Sequence, residues 1–360
     1  YHRPLPGRTP VLFFNGGPQS DSHHSLRNFK GIADDIWLIH MDQRGTGCST
    51  AYPKTYSQGK PEELIPWGSI GIVQDSEALR AHLGITRWNI FGQSFGSIVV
   101  LRYIQSFPQS ILTAVGHGGA VLERVQDLID WRFDQQMFVI QAYFEKYPDD
   151  RKKVIRIFRE KICSPLTGLC GAKLLNRLAL DNIGFQIHWP RLHSTLNDLE
   201  KSALISPKRN PSNEALLSSS ADVLGDVLLW PDLGSTNMAD CRNLVRRAMK
   251  VLIDPELAAF TECWNDPFFE PWGEEKIEEF KKRILDAGFE LLSNRKIREA
   301  LESHPEVQFH LFSSDLDYYM PPAIMNRAAQ EIGPRVRYTK LRNSGHEDFM
   351  LKRVVDVLRD

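Results

Sequence analysis

The residues best suited to chemistry in this chain lie in the run Gly92-Gln93-Ser94-Phe95-Gly96-Ser97. It fits G-x-S-x-G, with a strand-like segment before it (Trp88 to Phe91) and a helical pattern after it (Ser97 to Phe107). Three fixed positions alone would also fit an ordinary turn, so the flanking strand and helix are what give the pattern meaning. A strand that turns sharply into a helix at a serine forces it into a strained, exposed position. Glycine is needed at 92 and 96 because a side chain there would collide with the turn or a neighbouring strand. A serine hydroxyl is a poor nucleophile until a base takes its proton and an acid orients that base. Both partners are expected later in the chain, each just past a strand.

Two places meet that requirement. After the strand-like run ending HLFS comes SDLDYYMPP, and after YTKL comes RNSGHEDF. His346, in a Ser-Gly-His turn, is the expected base. Asp315 and Asp317 both offer the acid; Asp317, four residues before Pro321, has the spacing of a carboxylate in a loop leading to the next helix. Asp315 is then a turn residue or a supporting partner.

Attack on a carbonyl places negative charge on oxygen, which needs preorganised donors. The backbone N–H of Phe95, at a helix start, is one. The second is expected from VLFFNGGPQS, Val11 to Ser20. A hairpin turn would explain Asn-Gly-Gly, but the next apolar run starts only at Ile36, which favours a parallel crossover. Glycines at the C-terminal end of a parallel strand let backbone N–H groups approach a ligand. Gly17 is therefore the second expected oxyanion donor, stiffened by Pro18, with Gly16 beside it against substrate.

The elements that must position these residues alternate early in the chain. Strand-like segments at Val11–Phe14, Ile36–Met41, Trp88–Phe91 and Ile111–Val115 are separated by amphipathic stretches, the pattern of a parallel sheet with helices on both faces. From about 121 to 305 long helical patterns dominate, and strand signal returns at Val307–Ser313 and Val336–Leu341 before a closing helix. One sheet interrupted by a helical insertion explains this better than two tandem domains, because two strands alone make a poor core. The expected division is 1–120 with 306–360 as the catalytic domain and 121–305 as a helical cap. The charges at Glu278/Lys282 and Glu279/Arg283 read as a solvated helix face.

Composition excludes little but is consistent. The 360 residues carry a formal charge of −1, which gives no pull toward nucleic acid. No apolar run approaches the roughly 18 residues that span a bilayer, and no signal-peptide pattern opens the chain, so no membrane partner is expected. Five cysteines (Cys48, Cys163, Cys170, Cys241, Cys263) match no zinc spacing, and no metal or cofactor is expected. Cys163–Cys170 and Cys241–Cys263 are possible bridges; if formed, they would favour a periplasmic or secreted location, and free buried thiols are the alternative. Oligomeric state is not legible.

NGGPQS, MDQRGTGCS, GQSFGS, SDLDYYMPP and SGHE together resemble the proline iminopeptidases, serine aminopeptidases of the α/β-hydrolase superfamily. The resemblance covers both ends of the chain; the middle third is similar only in being a helical cap. It implies an α/β-hydrolase fold with a large helical cap before the last two strands, a cytoplasmic location, and release of an N-terminal residue, proline or another small apolar one, from peptides with a free N-terminus. This chain departs from the family at Asn15, where His is usual, at Gln19, where Gly is usual, and at Gln93 and Phe95, where Gly and Trp flank the serine. Asp42 and Arg44 are expected to pair and brace their loop. A free ammonium calls for carboxylates, and FTECWNDPFFEPW offers Glu262 and Asp266, with Glu270 beyond. His117 is expected to line the site; His23, His24, His188 and His193 show no sequence partner and are expected on the solvent-facing surface. The same triad would also serve a carboxylesterase, and a non-catalytic scaffold would usually have lost one of its members.

Overall fold

The computed structural model describes residues 4–17, 20–23, 29, 35–51, 66–121, 125–205, 288–348 and 352–359, with 282, 285 and 286. Pro18, Gln19, His24, Cys241, Cys263, Glu262, Asp266, Glu270, Glu278, Glu279 and Arg283 fall outside these described residues.

Among them, six strands form one parallel sheet: β1 (Pro10–Phe14), β2 (Trp37–His40), β3 (Trp88–Gln93), β4 (Ile111–His117), β5 (Gln308–Ser314) and β6 (Val336–Leu341), in the order β2-β1-β3-β4-β5-β6. Every residue of β1 and β3 is buried, as continuous apolar runs in a parallel sheet covered on both faces should be. The helices between them are α1 (Ser69–His82) and α2 (Phe95–Ser106). Strand order reverses at β1, so the ends of β1 and β3 flank the crevice where open α/β sheets hold their ligands.

Between β4 and β5 come α3 (Val125–Lys146), α4 (Asp150–Glu160), α5 (Gly171–Asn182), α6 (Trp189–Ile205) and α7 (Asn294–Ser303). Helices α8 (Pro322–Ile332) and α9 (Lys352–Val355) complete the chain. One apolar cluster packs α2, α7 and α8 residues on one face of the sheet, including Ile98, Leu301 and Met325. Another, with Phe13, Phe91 and Val354, covers the opposite face. A third joins α3 to α6 with Leu316 and Tyr318 from the loop after β5. Helices α3 to α6 are therefore a layer seated on the segment that carries Asp317, while α7 packs against the sheet itself. Cys163 and Cys170 form a disulfide across the α4–α5 loop, and Cys48 is a free, exposed thiol.

Candidate active site

Ser94 follows β3 directly and adopts φ 54°, ψ −120°, a left-handed conformation that costs energy in any residue but glycine. Neighbouring elements hold it there. Its N–H donates to the His117 carbonyl at the end of β4 (2.8 Å). A Cβ on Gly92 would overlap the Gly96 carbonyl, and one on Gly96 would overlap the Phe14 carbonyl of β1. Both glycines are thus demanded by close backbone approach, as the sequence implied.

His346 Nε2 lies 2.9 Å from Ser94 Oγ, and Nδ1 lies 2.7 Å from Asp317 Oδ2. Asp317 is fully buried; its other oxygen accepts the N–H of Met320 (3.0 Å). An ionised carboxylate only accepts, so Nδ1 carries the proton and Nε2 is left to receive one from Ser94. Gly118, at φ 64°, packs beneath the pair: a Cβ there would sit 3.2 Å from the His346 ring and 3.3 Å from Asp317 Oδ2. Asp315 has the supporting place: its Oδ1 accepts the Ser344 N–H (3.1 Å), tying the acid loop to the histidine loop. The arrangement can move a proton from Ser94 to His346 and so make the serine a nucleophile.

Phe95 opens α2, where the first N–H groups have no partner within the helix. Gly17 follows β1 with φ 51°, its carbonyl accepting from Ser20 N (3.0 Å). Asn15 braces this loop: its Oδ1 meets His40 Nε2 at 2.8 Å and its Nδ2 donates to Ser20 O at 3.2 Å. Burial holds His40 down to about 4, so it stays neutral with Nε2–H facing Asn15.

Several expectations are corrected. Asp42 and Arg44 do not pair. Asp42 accepts the backbone N–H groups of Ser22 (2.8 Å) and Cys48 (2.9 Å); burial raises its pKa, but these bonds outweigh burial and hold it below the ordinary value. Arg44 instead forks onto Asp75 of α1 (2.6 and 2.7 Å). His117 lies behind the triad, not open to substrate: it is fully buried, its Nε2 2.9 Å from Ser314 Oγ, and burial pushes its pKa down to about 3, with the charges of Asp317 and His346 near enough to act on it. His193 is not idle surface, since Nδ1 lies 3.0 Å from both oxygens of the buried Asp150. Asp150 also accepts from Tyr143 (2.6 Å) and Lys153 (2.7 Å), a polar knot inside the helical insertion.

Sequence reasoning missed the α5–α6 loop. His346 N donates to the Gly184 carbonyl (3.3 Å), and the rings of Phe185 and Tyr319 stand 6.3 and 5.1 Å from the imidazole. A Cβ on Gly184 would press on both Tyr318 and Tyr319, which is why the loop comes so near. The only signal was the Ile-Gly-Phe run between two helical patterns.

A family model described as the alpha/beta hydrolase fold matches residues 9–154. A proline iminopeptidase of Xylella fastidiosa is 30% identical over 165 residues, 44% of this chain and 49% of that protein. One from Arabidopsis thaliana is 35% identical over 129 residues, 36% of this chain and 31% of that one. The chain thus spans at most about half the length of the curated relatives it matches. The solved structure of a proline iminopeptidase of Mycobacterium smegmatis aligns over 98% of this chain and 90% of its own at 15% identity and a TM-score of 0.44, a likeness too loose to bear on function. The described residues thus carry a parallel sheet, a serine elbow and a Ser94–His346–Asp317 network, with a first part that matches the alpha/beta hydrolase fold and is similar at 30–35% identity to stretches of proline iminopeptidases.

Proposed function

We propose that this protein is a serine aminopeptidase that releases an N-terminal residue, proline or another small apolar one, from peptides with a free N-terminus. The observation that carries the reading is the continuous path from Asp317 through His346 to Ser94 Oγ, with both contacts under 3 Å. In the first step Ser94 Oγ gives its proton to His346 Nε2 and bonds to the scissile carbonyl carbon. The oxyanion is met by the N–H groups of Phe95 and Gly17, aided by the positive end of α2. The C–N bond breaks as His346 returns the proton to the leaving amine, and water then hydrolyses the acyl-serine by the same route. No step calls for a metal or cofactor.

An aminopeptidase must also hold an ammonium group. Glu262 and Asp266 are assigned to this task, with Gly16 contacting substrate, residues 1–120 and 306–360 as catalytic domain and 121–305 as cap. The names of the related proline iminopeptidases support the substrate class. The test compares Pro-, Ala- and Leu-arylamides with their N-acetylated forms, with Ser94→Ala as blank. Cleavage that acetylation abolishes is expected; equal or faster turnover of acetylated substrates or simple esters would replace the aminopeptidase with a general serine hydrolase.

A further inference from the structure

Gln93 fills the variable position before the serine and is buried at 7% exposure. Its Nε2 donates to the backbone carbonyl of His346 (3.1 Å), 253 residues away in sequence. A carbonyl accepts only, so the amide nitrogen must face it. The amide oxygen points the other way, to Gly16, where an added Cβ would overlap Gln93 Oε1. One side chain next to the nucleophile therefore touches both the histidine loop and the loop after β1. His346 lies in a turn outside the sheet ladders, and its own N–H donates to the Gly184 carbonyl across the site (3.3 Å).

The geometry points to Gln93 as a positioning residue that fixes the main chain of His346 so that Nε2 meets Ser94 Oγ, and that seats Gly16 beside the serine elbow. It neither gains nor loses a proton and acts through His346. The inference rests on the triad reading above. Truncating Gln93 leaves a buried carbonyl unpaired and frees the turn, and a misplacement of about 1 Å at a reacting group can cost about a hundredfold in rate.

The test is the second-order rate at which a fluorophosphonate ester labels the full chain, measured from pH 5 to 8, with unfolding temperature followed in parallel. Gln93→Ala is expected to label about 10- to 100-fold more slowly than wild type. Gln93→Glu keeps the volume against Gly16 but turns a carboxylate toward a carbonyl. It should be slower than Gln93→Ala at pH 8 and gain on wild type as pH falls and its acid is protonated, a dependence that lost packing would not produce. Gly16→Ala should match Gln93→Ala, and the double variant should be no slower than either. Labelling of Gln93→Ala and Gln93→Glu within twofold of wild type, with an unchanged pH profile, overturns the proposal alone. Failure of the wild type to label overturns the triad reading and the proposal with it.

Discussion

The sheet ends and the helical insertion solve the same packing problem by different means. At the sheet ends backbone meets backbone: Gly92 and Gly96 exist because no Cβ fits, Gly118 turns at a positive φ beneath the triad, and Ser94 is held in a strained conformation by the strands around it. The insertion is held by side chains. Amphipathic helices share an apolar cluster with Leu316 and Tyr318, and the fully buried Asp150 gathers Tyr143, Lys153 and His193. Chemistry that demands fixed atoms is built on the first kind of structure, while the second supplies a surface that can vary around it.

That contrast predicts where substitutions act. Asp317→Asn should leave the fold intact and lower turnover about 10⁴-fold by supplying the wrong tautomer of His346, whereas Asp315→Asn keeps an oxygen for Ser344 N–H and should stay near wild type. Comparable losses in the two, measured as kcat/KM on an arylamide, would put the acid in the wrong place. In the insertion, Asp150→Ala strands the largely buried Lys153 and should cost about 3–5 kcal/mol in urea unfolding, while the folded variant still labels at Ser94.

Acid pH probes the buried histidines of the sheet ends. In the unfolded chain His40 binds its proton below about 6.5, but in the folded chain only near 4, so stability is lost as pH falls through that window. The loss reaches about 3 kcal/mol for His40. His117, held down to about 3, acts in the same direction. His40→Gln should flatten the decline between pH 6.5 and 4; an unchanged slope would remove His40 from the account. Smallest is the Arg44–Asp75 pair, part-exposed at 23% and 38%: Asp75→Asn should cost about 1 kcal/mol or less, read from the unfolding midpoint.

The division also explains what the sequence could reveal. Ser94, its glycines and the loops carrying Asp317 and His346 were legible because backbone strain and close approach admit few residue types. Between Asp315 and Asp317, spacing to Pro321 favours Asp317, and the 2.7 Å contact to His346 Nδ1 decides for it. Arg44 was misassigned because a long guanidinium reaches beyond its own loop, and nothing local marks Asp75 on α1 as its partner. Asp150 with His193, and Gly184 with His346, join segments 43 and 162 residues apart, and only tertiary packing pairs them. Gln93 sits inside the serine motif itself, yet the carbonyl its amide meets is 253 residues away.

The most direct test of the account is to treat the folded protein with a fluorophosphonate and map the adduct by peptide mass spectrometry. Phosphonylation confined to Ser94, and lost in His346→Ala, is the predicted result. No adduct on the folded wild type, or an adduct on another residue, would contradict the reading of Ser94, His346 and Asp317 as a working triad.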